Sequence, residues 1–441
     1  MTSNTLVCTR VCVTSTPVGA WTVPKGPLSA GGRNLASGKF STVPGGYANE
    51  ALNGWATVAG GGENTATATH ATVGGGYANR ASGTGAFVGG GTTNRIFASY
   101  GTIGGGANNW VATVGGGDYA TIGGGTDNGS YASYGTIGGG GGNRIGSSAW
   151  WGTIGGGGTN YIAANAHYST VGGGHANTIA LDSELATISG GESNLAAGTY
   201  AVVGGGWWNQ AGGYTATVSG GATNTASDHW ATVGGGWGNT AAGRAATVPG
   251  GYNNLASGWY SFVAGRRAKA DGQGSFVWGD ASDCDVHAWG NNQFVVRATG
   301  GYWLFSAVDG TGAPTAGVTL AAGSGTWGSW CDRNAKTNCA PVDARTVLDK
   351  VVALPIATWN YKTQDPAIRH LGPMAQDFHA AFGVGDSDKT ITTVDADGVA
   401  LAAIQGLNQK VETAVKDKDA RIAELERRLA ALERLLKAST Q

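Results

Sequence analysis

Glycine clusters recur at a nearly constant spacing through residues 41–279, and this spacing restricts the fold more than any other feature of the chain. Residues 71–79, Ala-Thr-Val-Gly-Gly-Gly-Tyr-Ala-Asn, are a typical unit. A short fixed period is the signature of a solenoid, whose coils bury their inner faces only by stacking on one another. Glycine triplets would destabilise a helix by about 1 kcal/mol per residue relative to alanine, but they suit corners where the backbone angle φ is positive. The repeat predicts a β-solenoid with two short strands per coil, joined by a glycine turn and an asparagine-containing turn.

The spacing of one aliphatic residue per unit defines the coils and their irregularities. The aliphatic residues lie at positions 43, 58, 73, 88, 103, 114, 122, 137, 154, 171, 188, 203, 218, 233, 248 and 263. Most steps equal the one from 58 to 73, the three between 137 and 188 are slightly longer, and the two between 103 and 122 are short. Insertions in solenoid coils become loops on one side, which is often the binding side. We therefore expect binding between positions 103 and 188, where the period is irregular.

Two further columns follow from the same alignment. Threonine precedes the aliphatic residue in 13 of 16 units, and asparagine follows it by six positions in 14 of 16. Stacked asparagines can hydrogen-bond along the column and satisfy the turn backbone, so we expect them to be structural. Neighbouring residues of a strand point to opposite faces. Outward threonines would then lie either in a subunit interface or on a regular exposed face.

Aromatic residues are frequent in the irregular coils and in those that follow. They suit either packing between the chains of an oligomer or stacking against the sugar rings of a ligand, and the sequence leaves both open. The residues are Trp110, Tyr119, Tyr131, Tyr134, Trp150, Trp151, Tyr161, Tyr168, Trp207, Trp208, Trp230, Trp237, Tyr252 and Trp259.

Composition limits the class of protein. The chain has 81 Gly in 441 residues, 12% charged residues and a formal net charge of −1, yet it is 41% hydrophobic with 16 Trp. It can therefore build a core, and no basic block provides a footprint for nucleic acid. No apolar stretch is long enough to span a membrane, and positions 1–30 do not read as a secretory signal.

The five cysteines argue against a disulfide framework and against a metal site. They are Cys8, Cys12, Cys284, Cys331 and Cys339, an odd number without framework spacing, which favours free thiols. Cys8 and Cys12 lack the second ligand pair that structural zinc requires. Calcium is not expected because the Gly-Gly-x-Gly-x-Asp pattern does not recur. We expect no cofactor.

Several uncommon strings follow one another in residues 329–378. They are Ser-Trp-Cys-Asp-Arg-Asn-Ala-Lys at 329–336, Val-Leu-Asp-Lys at 347–350, Leu-Pro-Ile-Ala-Thr-Trp-Asn-Tyr at 354–361 and His-Leu-Gly-Pro-Met-Ala-Gln-Asp-Phe at 370–378. From about residue 329 to its end, the chain resembles the C-terminal intramolecular chaperone domain of phage tail spikes and tail fibres, the self-cleaving endosialidase type. The resemblance implies a homotrimeric fibre whose C-terminal segment helps three chains find register and is often then cut off.

The resemblance also implies a set of catalytic residues. The family cuts before a Ser that is followed by Asp, with a Lys five positions on; Asp332 and Lys336 match, but Cys331 occupies the Ser position. A thiolate is a good nucleophile. Cys331 could thus attack the Trp330 carbonyl, or the change from oxygen to sulfur could leave the domain attached. His370 matches a family position and would either assist proton transfer or make a structural hydrogen bond.

The C-terminal residues predict helices and a coiled coil. We expect helices at 344–354 and 374–382 and a strand at 356–362. In the long terminal helix, apolar residues recur at alternating steps of four and three with one polar interruption, Lys418, which is a heptad seam. The seam, called here the C-terminal seam, comprises Val411, Val415, Ile422, Leu425, Leu429, Leu432 and Leu436. Three strands are expected from the fibre resemblance.

The predicted fold is mainly β: a Gly-rich, trimeric β-roll solenoid, then a small α+β chaperone domain ending in a coiled-coil helix. The repeats also resemble, loosely, the heads of trimeric autotransporter adhesins. The predicted divisions are an attachment segment (1–40), the solenoid (41–279), a β connector (280–328), the chaperone (329–407) and the coiled coil (408–441).

These divisions predict a phage or phage-like tail fibre, assembled in the cytoplasm. It would bind itself as a homotrimer, a tail or baseplate component through its N-terminus, and a cell-surface glycan or protein receptor. The alternatives are a bacterial surface adhesin, a glycan-degrading tail spike, for which residues 41–279 offer no obvious carboxylate pair, and an ice-binding solenoid.

Overall fold

The computed structural model describes residues 28–29, 31–113 and 117–439. The chain divides into two compact units, the first ending at Thr299 and the second beginning at Gly300. Most of the predicted attachment segment, with Cys8 and Cys12, lies outside the described residues. The first unit is a β-solenoid, which confirms the predicted fold class.

Two parallel ladders run the length of the solenoid. The first ladder contains Leu28–Ser29, Thr42–Val43, Thr57–Val58, Thr72–Val73, Phe87–Val88, Thr102–Ile103, Thr121–Ile122, Thr136–Ile137, Thr153–Ile154, Thr170–Val171, Thr187–Ile188, Val202–Val203, Thr217–Val218, Thr232–Val233, Thr247–Val248, Gly251–Tyr252, Phe262–Arg266, Phe276–Gly279 and Phe294–Arg297. The second ladder contains Leu35–Ala36, Glu50–Ala51, Thr65–Ala66, Arg80–Ala81, Arg95–Ile96, Trp110–Val111, Gly129–Ser130, Arg144–Ile145, Tyr161–Ile162, Thr178–Ile179, Leu195–Ala196, Gln210–Ala211, Thr225–Ala226, Thr240–Ala241, Leu255–Ala256, Ala268–Ala270 and Val286–Ala288.

The two residues of each short strand face opposite ways. In the first ladder Val73 points inward and is fully buried, whereas Thr72 points outward and is half-buried. Burying each such Val or Ile contributes about 1.5–3 kcal/mol. Small residues such as Ala81 fill the inner position of the second ladder in most coils, because so short a coil encloses little space. The threonine column therefore faces outward, with Phe87 and Val202 interrupting it.

The asparagine column is structural, as predicted. Asn79 is fully buried, and its Nδ2 donates to the carbonyls of Gly75 and Gly91 at 2.9 and 2.8 Å. Its Oδ1 accepts from the backbone N–H of Asn94, in the next coil, at 3.0 Å. Each asparagine thus binds backbone groups in its own coil and in the next. A buried group such as the Asn94 N–H would cost about 1–3 kcal/mol if it were left unpaired.

Only glycine fits the third position of the glycine triplet. At Gly76 φ is +85°, and a Cβ atom there would lie 2.1 Å from the carbonyl oxygen of Gly91 in the next coil. The following turn carries a third ladder, of single β-bridges such as Tyr77 with Thr92. The close stacking of coils at this corner explains why the triplet recurs.

The irregular region contains one long coil where the sequence predicted two short steps. Thr102 pairs directly with Thr121, so the two short steps together form a single coil. Position 114 was predicted to carry a repeat aliphatic residue and lies outside the described residues. Because the strands before and after this segment already pair with each other, position 114 does not start a separate coil. Slightly enlarged coils follow, from Thr136 to Thr187.

Parallel pairing extends past residue 279 to Arg297. Phe294–Arg297 pairs in parallel with Phe276–Gly279, so the ladder continues into the segment that was predicted as a β connector. Asp280 fastens this last coil: its carboxylate accepts from Arg297 Nε at 2.8 Å and from Thr299 N and Oγ1 at 2.8 and 2.7 Å. These hydrogen bonds hold the pKa of the Asp280 carboxyl far below its usual range.

The second unit starts with a three-stranded antiparallel sheet of Gly301–Val308, Pro314–Ala321 and Gly328–Ser329. After a 3₁₀ turn at Arg333–Ala335 come helix α1 (Ala344–Ala353), a two-stranded sheet of Ala357–Trp359 and His370–Gly372, helix α2 (Ala375–Phe382) and helix α3 (Thr393–Ser439). The helices and the strand predicted for this region are confirmed.

Helices α1 and α3 cross closely. A Cβ atom at Gly406 of α3 would lie 2.1 Å from the carbonyl oxygen of Ala344 at the start of α1. Ala344 and Leu348 of α1 and Ala403 of α3 are buried there. Glycine at 406 thus lets the backbones approach and fixes the small core of this unit.

Candidate functional site

The backbone immediately before Cys331 is held by the antiparallel sheet. Gly328 and Ser329 pair with Thr319 and Val318, and the N–H of Trp330 donates to the carbonyl of Gly317 at 2.9 Å. The chain therefore reaches the Trp330–Cys331 peptide bond from a fixed strand. A fixed carbonyl is a requirement for attack by a neighbouring nucleophile, because the reacting atoms must be kept in orientation.

A short 3₁₀ turn then brings Lys336 back to Cys331. Asp332 caps this turn, since its Oδ1 accepts from the backbone N–H and the side-chain Nδ2 of Asn334 at 3.0 and 3.2 Å. Across the turn, Lys336 Nζ donates to Cys331 Sγ at 2.8 Å. Both side chains are exposed. The turn explains the spacing of the pair along the chain, and it gives Asp332 the role of positioning the pair.

The charge of Lys336 is stabilised by the thiol beside it. The hydrogen bond to Cys331, and then the attraction of its thiolate form, raise the pKa of Lys336 above its ordinary value. A lysine with a raised pKa keeps its proton at neutral pH. Lys336 therefore suits the electrostatic stabilisation of a Cys331 thiolate, and it does not suit proton removal.

His370 lies in an aromatic cluster. Its ring stacks on Trp359 with 4.7 Å between centroids, meets Tyr361 edge-on, and hydrogen-bonds through Nε2 to Gln364 Oε1 at 2.8 Å. Among the described residues, no hydrogen bond joins His370 to Cys331, Asp332 or Lys336. The structure thus brings three of the four predicted catalytic residues together and places the fourth in the two-stranded sheet.

The C-terminal seam lies along α3 and is open to solvent in the single chain. Ile422, Leu425, Leu429, Leu432 and Leu436 are 49–66% exposed. Such a row of large apolar side chains on one side of a 47-residue helix is unusual for a helix surface that faces water alone.

The rest of the described chain offers neither a metal centre nor a membrane span. Within the described ranges, no group of three or more His, Cys, Asp or Glu residues is arranged to hold a metal ion. In those same ranges, no helix has the length and apolar character needed to cross a membrane.

Comparison with known proteins identifies a related domain family for part of the C-terminal unit. Residues 331–384 match a family model described as chaperone of endosialidase. The match begins at Cys331 and spans the Cys331–Lys336 pair, α1, the two-stranded sheet and α2. No curated protein sequence matches the chain. The second unit therefore contains an intramolecular chaperone domain, and a long β-solenoid precedes it.

Proposed function

We propose that three copies of this chain form a receptor-binding tail fibre whose C-terminal unit aligns the chains and is then released by a cut between Trp330 and Cys331. The observation that carries the proposal is the 2.8 Å contact between Cys331 Sγ and Lys336 Nζ. This contact involves Cys331, the first residue of the match to the chaperone family model.

The proposed cut is an N-to-S acyl shift followed by hydrolysis. The Cys331 thiol gives its proton to water, and the thiolate, stabilised by the Lys336 ammonium, adds to the Trp330 carbonyl carbon and forms a five-membered ring. The ring opens by breaking the C–N bond; the departing Cys331 nitrogen takes a proton back from water, and a thioester remains. Water then cleaves the thioester to give a Trp330 carboxylate and the free thiol. One water is consumed and no oxidant is needed.

His370 has a positioning role on this proposal. Its contacts to Trp359 and Gln364 hold the two-stranded sheet and the turn beside it together. The cut itself is assigned to Cys331 and Lys336, with Asp332 positioning them.

Trimer formation is supported by the exposed C-terminal seam. A heptad seam is covered when equivalent helices pack together. Slow, non-local pairing of β coils exposes edges during folding, and a domain that gathers the chains first limits misassembly.

Receptor binding is supported by the exposed aromatic side chains of the solenoid, and a phage-type particle by the chaperone match. Trp55, Tyr77, Trp207 and Trp237 are about half exposed. On this proposal the residues before the solenoid join the fibre to a tail or baseplate component. The fibre then binds its receptor as part of a phage or phage-like particle.

Mass spectrometry of the freshly purified full chain, under denaturing and native conditions, tests both steps. We expect two fragments, ending at Trp330 and beginning at Cys331, whose masses sum to that of the chain plus one water. Hydroxylamine should speed the cut by trapping the thioester. The remainder should be trimeric. Cys331→Ala should stay intact, whereas Cys339→Ala, which removes another exposed thiol nearby, should cut normally.

Each negative result of this experiment rejects a different part of the proposal. An intact trimer for every variant would reject self-cleavage and leave chaperone-driven assembly standing. A monomer for every variant would reject the fibre. Cleavage that persists in Cys331→Ala would reject the thiol mechanism.

A further inference from the structure

The outward face of the second ladder has one missing side chain. From Leu35 to Leu255, every coil places a side chain at the first strand position except the coil that carries Gly129. Gly129 pairs with Trp110 on one side and with Arg144 on the other. The Tyr131 ring lies over Gly129, which is buried, so only part of the gap in the row of outward side chains stays open.

This gap is a cleft of about 210 Å³. Its walls and floor include Asn108, Trp110, Asp127, Gly129, Tyr131 and Arg144. Strands in a ladder are about 4.8 Å apart, so the two walls stand roughly 9–10 Å apart at the backbone. The Tyr131 ring takes up part of the space between them, and the part that stays open is the cleft.

The walls of the cleft differ in chemistry. Trp110 is 40% exposed. Its indole also contacts the ring of Phe97, which lies in the preceding coil, on the side away from Gly129. Arg144 is held over the Tyr131 ring at 4.7 Å, and no carboxylate among the described residues pairs with it. Asp127 uses Oδ1 to accept from Asn108 Nδ2. The cleft thus combines an aromatic face with one guanidinium and one carboxylate.

The other aromatic residues of these coils form a surface of a different kind. Tyr100, Tyr119, Tyr134, Trp151 and Tyr168 stack on one another with 4.9–5.2 Å between centroids and at most 8° between planes. Each ring covers the face of its neighbour, so this stacked column presents ring edges to solvent. A sugar needs an open ring face, and the exposed indole of Trp110 offers one in the lining of the cleft.

We propose that the Gly129 cleft binds one neutral pyranose unit of a surface glycan. A pyranose has an apolar face for the indole and hydroxyl groups at its rim that can donate to Asp127 and accept from Arg144. The opposite charges of those two residues balance, which favours a neutral sugar over an acidic one. This inference rests on the proposed receptor-binding function and narrows it to a glycan and to one site.

Filling the rest of the gap tests the site. Gly129→Thr introduces the residue that the same position carries at Thr178, Thr225 and Thr240. The backbone angle at Gly129 is ordinary, and an added Cβ would lie 3.2 Å from Cε2 of the Tyr131 ring, which must shift towards the cleft to make room. Thr225→Gly is the matched control, because it opens an equal gap between Gln210 and Thr240, where no aromatic wall exists.

Binding is measured on the assembled full chain with an array of neutral and acidic polysaccharides and, by saturation-transfer NMR, with the methyl pyranosides of glucose, galactose, mannose, N-acetylglucosamine and glucuronic acid. We expect binding of a neutral sugar, at least tenfold weaker in Gly129→Thr and in Trp110→Ala and unchanged in Thr225→Gly. Circular dichroism and native mass confirm that each variant is folded.

The outcomes separate this inference from the proposed function. Equal glycan binding by wild type and Gly129→Thr would overturn the cleft and leave receptor binding in place. Preference for the acidic sugar would overturn the neutral-pyranose assignment. An absence of carbohydrate binding by a cleaved, trimeric fibre would overturn the cleft while the fibre proposal survives on its own mass measurement.

Discussion

The solenoid buries its inward apolar side chains completely, whereas the C-terminal unit leaves many of its large apolar side chains exposed. In the solenoid, inward Val and Ile residues form one continuous core with no exposure. Among the described residues of the C-terminal unit, the buried hydrophobic side chains are Ala344, Leu348, Phe378 and Ala403, while Leu371, Leu401 and Ile404 are more than 60% exposed. The solenoid therefore buries its apolar side chains coil by coil, whereas the C-terminal unit leaves a large apolar surface exposed in the single chain.

The largest expected effect comes from placing charge on the C-terminal seam. In Leu429→Asp/Leu432→Asp, a trimer would bury six carboxylates, at several kcal/mol for each unpaired charge. We expect loss of the trimer in native mass spectrometry. The matched control, Ala420→Asp/Ala430→Asp, adds the same charges to α3 away from the seam and should leave the trimer intact. Equal assembly of both variants would show that the seam is an ordinary helix surface.

A smaller but still large effect is expected inside the solenoid. Asn194→Ala removes the Nδ2 bonds to Gly190 and Gly206 and the Oδ1 bond to the N–H of Asn209. The Gly190 carbonyl and the buried Asn209 N–H lose their partners, whereas the Gly206 carbonyl keeps the N–H of Glu192. This loss should lower the free energy of unfolding by about 2–4 kcal/mol. Urea unfolding and local hydrogen exchange measure this.

Asn53→Ala is the matched control for that change. Asn53 is exposed and its Nδ2 makes a single bond, to Thr67 O, so its loss should cost at most about 1 kcal/mol. Similar losses for both variants would mean that the buried asparagine column stabilises no more than a surface contact does.

The closing contact of the solenoid predicts a dependence on pH. The pKa of the Asp280 carboxyl is depressed by its bonds to Thr299 and Arg297. Its stabilisation is therefore complete above the unfolded pKa, near 4, and is lost as the pH falls through the lower folded value. Asp280→Asn should melt below wild type at pH 7, and the difference should shrink between about pH 4 and pH 2. Glu184→Gln, an exposed surface change, controls for general acid effects; a constant gap would contradict the prediction.

The solenoid was more predictable from the sequence than the site. The register, the buried asparagines and the outward threonines follow from a period that every coil repeats. The long coil at Thr102–Thr121 was predicted wrongly because an insertion carried a chance match to the repeat. The strand Phe294–Arg297 could not be assigned to the ladder from the sequence, because the glycine repeat ends before it and only its pairing with Phe276–Gly279 shows that the ladder continues. The Gly129 cleft was missed because, in a glycine-rich sequence, nothing distinguishes the one glycine that replaces an outward side chain.

The sequence predicted the part of the site that depends on local geometry, and it did not predict the part that depends on how separate strands pair. The spacing from Cys331 to Lys336 is local, so a short capped turn can realise it, and the 2.8 Å contact is present. The position of His370 depends on how separate strands pair. Its partner Gln364 gave no signal in the sequence, because a single amide beside a turn has no distinctive pattern.

The smallest expected effect concerns the exposed stacked column. Tyr134 has a left-handed backbone, with φ of 58°, and stacks on two rings. Tyr134→Ala should lose about 1–3 kcal/mol from the two ring contacts. Tyr134→Gly loses the same contacts but relieves the left-handed strain, so it should be about 1 kcal/mol more stable than the alanine variant. Thermal unfolding of the two variants measures the difference, and native mass should show that both remain trimers. A monomeric Tyr134→Ala would mean that the solenoid uses its exposed aromatic rings to hold chains together, a role that we propose for the C-terminal seam alone.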